Sequence, residues 1–154
     1  MGFFSGQRPD TLGVREGRLA PCPETPNCVS SQTDPKDAGH YIAALNVPEV
    51  LPGSGAHTAP GAHAWSALMR VLRATERAAV VDERPGYARA EFKSRWMGYV
   101  DDVEFLWDEK AGLIDVRSAS RLGRSDFGVN RKRIEDLRKA LTTQLAHVDS
   151  KPGA

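Results

Sequence analysis

Apolar residues recur at helical spacing at Trp65, Leu68, Met69 and Leu72, with Ser66, Arg70, Arg73 and Arg77 on the opposite side. This predicts an amphipathic helix over Ala62–Arg77. The period then changes to two. Strand patterns occupy Ala78–Glu83, Tyr87–Arg95, Tyr99–Asp108 and Leu113–Ser120, with turn or bend signals at Arg84–Gly86, Trp96–Gly98 and Glu109–Gly112. A second helix is expected over Phe127–Val148, its apolar side formed by Phe127, Ile134, Leu137, Leu141, Leu145 and Val148.

Strands joined by short turns pair as an antiparallel meander, and two apolar helix stripes bury most simply on one face of it. The expected fold is α+β: a two-layer sandwich with a four- to five-stranded antiparallel sheet and two helices on one face. Residues 1–60 carry eight of the ten prolines and seven of the fourteen glycines. They read as a mostly irregular arm packed on the domain, with a possible strand at His40–Val47 and a flexible loop at Pro48–Gly61. Residues 61–148 form the core and 149–154 a disordered tail, one domain in all.

Side chains alternate across a strand. Ala88, Ala90, Phe92, Val103, Phe105, Ile114 and Val116 therefore share the core face. Arg89, Glu91, Lys93, Asp102, Glu104, Asp115 and Arg117 face outward, with Arg121 continuing that set. Tyr99–Glu109 holds five acids and no base, while Arg117–Lys139 holds eight bases and three acids. Much of this charge is expected to pair across an exposed sheet face, where single ion pairs contribute little.

Asp101 has the parity of Val103, and Ser118 and Ser120 that of Val116, so the core layer turns polar at one end. The hairpin at Glu109–Gly112 places Asp101 near Ser120 and Val103 near Ser118. The second helix starts there, with Ser125 or Asp126 as its N-cap and Asn130 on its apolar stripe. The bend at Trp96–Gly98 brings Ser94 and Arg95 close. A helix N-terminus beside Arg121, Arg124 and Ser125 suits an anion. The candidate ligand-binding set is Asp101, Ser118, Ser120, Arg121, Arg124, Ser125, Asp126 and Asn130. Its ligand would be a small anion or the carboxylate or phosphate of a partner.

A net charge of +1 and a pI near 7.8 argue against a dedicated nucleic-acid binder. No apolar run is long enough for a transmembrane helix. A metal site would use Cys22 and Cys28 with His40, His57 or His63, but the spacing of the two cysteines matches none of the usual zinc pairs, so no metal or other cofactor is expected. The two cysteines are read as structural thiols or a disulfide. Adjacent Asp101 and Asp102 point to opposite faces and cannot act together on one substrate. The balance favours a non-catalytic binding or accessory domain. The alternatives are an enzyme using Asp101 as general base, and an interaction domain using the charged sheet face.

Three stretches, "LGVREGRLAPCPETPNCVSSQ", "AEFKSRWMGYVDDVEF" and "VRSASRLGRSDFGVNRKRIEDLR", carry a resemblance. From about Leu12 to Leu145 the chain resembles family 1499 of the domains of unknown function, found in bacteria, cyanobacteria and plastids. The resemblance implies no activity and no catalytic residues. It implies that relatives are often exported or membrane-attached through an apolar leader before the "PCP" segment. Here the segment before Leu12 is short and polar-leaning, so a cytoplasmic location is expected.

Overall fold

The structure, a computed structural model, describes residues 6–47 and 60–149. The loop expected at Pro48–Gly61 falls outside them except for its last two residues, as does the 149–154 tail except for Asp149. The chain runs β1 (Cys28–Ser30), β2 (Leu45–Asn46), α1 (Pro60–Ala74), β3 (Ala78–Arg84), β4 (Tyr87–Lys93), β5 (Val100–Asp108), β6 (Leu113–Ser120) and α2 (Val129–Asp149).

The last four strands form the expected antiparallel meander, and the arm adds two more to make six. The order is β1-β6-β5-β4-β3, and β2 also pairs with β6. β1 and β2 share one edge of β6: Cys28 opposes Ala119, and Leu45 opposes Ile114. The possible strand at His40–Val47 shrinks to two residues. β1, with three, was not anticipated, because so short a segment shows no periodicity.

Both helices pack on one face. Ala64, Ala67, Leu68, Val71 and Leu72 of α1 and Ile134, Leu137 and Leu141 of α2 are buried. They meet Ala88, Ala90, Phe92, Val103, Phe105, Ile114 and Val116 from the sheet. α1 begins two residues earlier than its apolar pattern suggests. Gly61, in its first turn, lies so close to the Trp107 ring that a Cβ would overlap it.

The charge pattern of the opposite face reads as exposed ion pairs and leaves open what covers that face; in the structure it is buried. The arm crosses it. The Gly13 amide donates to Glu104 Oε2 (2.8 Å), and the Pro21 carbonyl accepts from Arg117 Nη2 (3.4 Å). Ser31 and Gln32 donate to Asp115. Glu104 is 0% and Asp102 1% exposed, with Arg89 and Arg117 at 6% each. The arm also carries basic charge from the far side: Arg131 of α2 donates to Ala38 O, and Arg138 to Ala43 O and Ala44 O.

A disulfide joins Cys22 to Cys28 and closes the turn that leads the arm into β1. In the chain-entropy account, a loop this short contributes about 2 kcal/mol of stability. Urea unfolding of the Cys22→Ser/Cys28→Ser chain is expected to show a loss of that order.

Candidate functional site

Two charge systems meet where β6 gives way to α2, one on each side of the sheet. On the arm side, Arg121 forks onto Asp102, Nε to Oδ2 at 2.8 Å and Nη2 to Oδ1 at 2.9 Å. Its Nη2 also lies 3.2 Å from Glu91 Oε1. Arg89 Nη1 donates to Asp102 Oδ1 at 3.0 Å. Glu104 Oε2 accepts from the Tyr87 hydroxyl at 2.7 Å, and Glu104 Oε1 lies 3.7 Å from Arg117 Nη1. Arg89, Arg117 and Arg121 thus balance Glu91, Asp102 and Glu104. Burial pulls the Arg117 guanidinium below its ordinary pKa, against the pull of Glu104 and Asp102. Burial and the bond to Glu104 push the Tyr87 phenol well up.

On the helix side lies a second, closed network. Asp101 opposes Ser120 and Val103 opposes Ser118, as the turn requires. Asn130, fully buried, accepts from Ser118 Oγ at 2.6 Å. Its amide nitrogen donates to Ser120 Oγ (2.8 Å), Asp126 Oδ2 (2.7 Å) and Asn27 O (3.2 Å). Arg133 places Nη2 2.6 Å from Asp101 Oδ2 and donates through Nη1 to Asn130 Oδ1 at 2.9 Å. Its guanidinium lies 4.9 Å from the Phe92 ring centroid.

Asp126 lies three residues before α2 and caps its first amides. Its carboxylate accepts from the amides of Gly128 (2.8 Å) and Asn130 (3.0 Å). Burial would raise its pKa, but the bonds from Asn130 and Gly128 overcome this and hold it below the ordinary Asp value.

The candidate residues therefore separate into three groups. Asp101, Ser118, Ser120, Asp126 and Asn130 come together, joined by Arg133 and Asn27, which the sequence reading missed. Arg133 is one helical step beyond Asn130, and that spacing was the available signal. Arg121 lies on the other side of the sheet, its fork engaged with Asp102. Arg124 and Ser125 sit outside both networks and are exposed.

The segment that carries Arg124 and Ser125 also exposes apolar side chains. Eight large apolar side chains are exposed among the described residues, and six lie in two segments at this end. Trp96 (87% exposed), Met97 and Tyr99 come from the β4–β5 bend. Leu122, Phe127 (96%) and Val129 come from the β6–α2 connection and the first residue of α2. The segments adjoin: Arg121 N donates to Val100 O at 3.2 Å. Two bonds brace the bend, Ser94 N to Tyr99 O (2.8 Å) and Tyr99 N to Ser94 Oγ (2.9 Å).

Phe127 was expected to begin the apolar stripe of α2. It has φ +53°, is followed by Gly128 at +80°, and the helix starts only at Val129. A bulky side chain in the left-handed region is uncommon and costs backbone energy. Here that conformation holds an aromatic ring out in solvent.

A cleft of about 510 Å³ lies beside the disulfide, with Arg18, Cys22, Glu24, Gln32, Asp37 and His40 among its lining residues. His40 Nδ1 is 2.8 Å from Asp37 Oδ2, and Nε2 is 3.0 Å from Thr25 O. The Asp37 bond, then the Thr25 carbonyl, raise the His40 pKa above 6.5. Protonated His40 therefore stabilises the fold. That contribution is complete below pH 6.5 and lost as pH rises through the raised value. Thermal melts at about pH 6 and pH 8 should show a fall that His40→Gln flattens.

Among the described residues, no helix is long and apolar enough to cross a membrane. Residues 18–141 match a family described as protein of unknown function, DUF1499. The chain belongs to that family. No curated protein and no solved structure matches it.

Proposed function

The family carries no activity to lend this member, so from the geometry we propose a non-catalytic binding domain. It engages its partner through the strand-to-helix end, where the β4–β5 bend and the β6–α2 connection adjoin. The observation that carries this reading is the gathering there of six of the eight exposed large apolar side chains. Clustered exposed apolar surface on a folded protein marks an interaction site. Arg124 and Ser125 give the same surface its polar contacts, and they are the part of the anion-binding set that remains open to a partner.

The charged networks support it from beneath. Asp101 is ion-paired to Arg133, and the amides of Gly128 and Asn130 are taken by Asp126. These groups serve as a rigid base, which favours binding over general-base chemistry at Asp101. The buried outer face likewise favours this end over the sheet as the contact surface. The Cys22–Cys28 bond supports a place in an oxidising compartment rather than the cytoplasm.

Phe127→Asn combined with Trp96→Ser tests the reading. Asn tolerates a left-handed backbone, and both side chains are exposed, so the melting temperature should be unchanged or slightly raised. In gently lysed producing cells, the wild-type chain should sediment with larger material and the double variant should stay in the supernatant. Identical distributions would overturn the reading.

A further inference from the structure

We infer that the surface docked by this end is an anionic lipid interface, entered by the Trp96 and Phe127 side chains between flanking Lys93, Arg95 and Arg124. The inference rests on the docking reading above and names its partner.

Three observations favour lipid. The first is shape. The apolar groups stand on a bend and a connecting segment, and two of the three aromatic ones are almost wholly exposed, Phe127 at 96% and Trp96 at 87%. Side chains that line a groove to receive a partner's residues are shielded on several sides, and these are not. Protruding rings suit a soft medium that closes around them. Trp and Tyr, each with an apolar body and a polar edge, are the side chains that settle at a membrane–water boundary.

The second is charge. Lys93, Arg95 and Arg124 are exposed and flank the rings. Arg95 lies 5.7 Å from the Trp96 ring centroid, so the cation travels with the aromatic group. Four acids of this end face inward to partners, Asp101 to Arg133, Asp102 and Glu91 to Arg121, and Asp126 to the α2 amides, while the exposed Glu76 before β3 lies 3.4 Å from Arg77. The exposed side chains of the two ring-bearing segments themselves are positive, apolar or neutral, the complement of an anionic headgroup layer over acyl chains.

The third is rigidity. The Ser94–Tyr99 bonds brace the backbone around Trp96, and the Asp126 carboxylate, bonded to the Gly128 and Asn130 amides, braces that around Phe127. Fixed tips lose little conformational freedom on insertion, so a small number of side chains suffices for shallow, reversible binding.

The test uses the full disulfide-bonded chain with vesicles of phosphatidylcholine alone or mixed with phosphatidylglycerol. Cosedimentation is the readout, and protection of tryptophan fluorescence from an aqueous quencher confirms insertion. The chain should bind the mixed vesicles and largely ignore the neutral ones, and raised salt should weaken binding. Phe127→Asn and Trp96→Ser should each lower the partition coefficient about tenfold. Arg124→Ala should lower it about fivefold.

Failure to bind mixed vesicles at low salt would overturn the lipid inference, as would binding that these replacements leave unchanged. If the cellular sedimentation still depended on Phe127 and Trp96, the docking reading would stand with a protein as partner. If that dependence were absent too, both would fall.

Discussion

Glu104→Ala is expected to cost about 3–5 kcal/mol, enough to leave a domain of this size marginally folded. The carboxylate is wholly buried, accepts from the Tyr87 hydroxyl and the Gly13 amide, and faces Arg117. Its removal leaves the Arg117 cation buried without its nearest counter-charge, and strips the Gly13 amide of its acceptor. Desolvation of the abandoned groups sets the size of the effect, because an intact buried pair contributes little net stability. Tyr87→Phe removes one bond of the same carboxylate and should cost about 1 kcal/mol. Urea unfolding measures both. A cost for Glu104→Ala no larger than that of Tyr87→Phe would mean that water reaches this face despite the arm.

Asn130→Ala is the second large effect, about 3 kcal/mol. One side chain joins Ser118 and Ser120 of β6, Asn27 before β1, Asp126 before α2 and Arg133 within it. Alanine strips the Ser118 hydroxyl of its acceptor and Ser120 Oγ of its donor, removes one bond each from Asn27 O, Asp126 and Arg133, and leaves a cavity, the lost bonds costing about 1–3 kcal/mol each before relaxation. Asn130→Asp distinguishes shape from chemistry. It keeps the acceptor toward Ser118 and Arg133, loses the donor toward Asn27, Ser120 and Asp126, and adds a charge beside Asp126. It should be at least as destabilising as alanine, and urea midpoints compare the two. An Asn130→Asp chain as stable as wild type would contradict the donor roles given to Nδ2.

These two residues mark what the sequence made legible. The pairing of Asp101 with Ser120 followed from strand parity and one turn, both local. Asp126 at the helix start and Asn130 on its inner stripe followed from capping and helical period. The near-cancellation of acidic and basic segments also followed from composition, since Arg89, Arg117 and Arg121 do balance Glu91, Asp102 and Glu104. Their burial was not legible. It depends on where a Pro- and Gly-rich arm runs, and contacts such as Gly13 with Glu104 span about ninety residues of chain without periodicity to announce them.

Arg121 shows two readings of one residue in competition. Its place beside a helix N-terminus suited an anion, while its parity already set it on the outward face with Asp102, and parity won: its fork is taken by Asp102. Phe127 shows a limit of the periodic reading. Its spacing of seven from Ile134 fits a helix stripe, yet the backbone turns left-handed there and the helix begins two residues later. Helical period assumes helical φ, and Gly128 next to it was the signal that the assumption fails.

The most direct test of the docking end places a photo-reactive amino acid at position 127 and, as control, at position 70 on the exposed side of α1, in cells that produce the protein. The account predicts a covalent adduct from position 127, to lipid if the further inference holds, and none from position 70. Equal adducts at both positions, or none at 127, would contradict it.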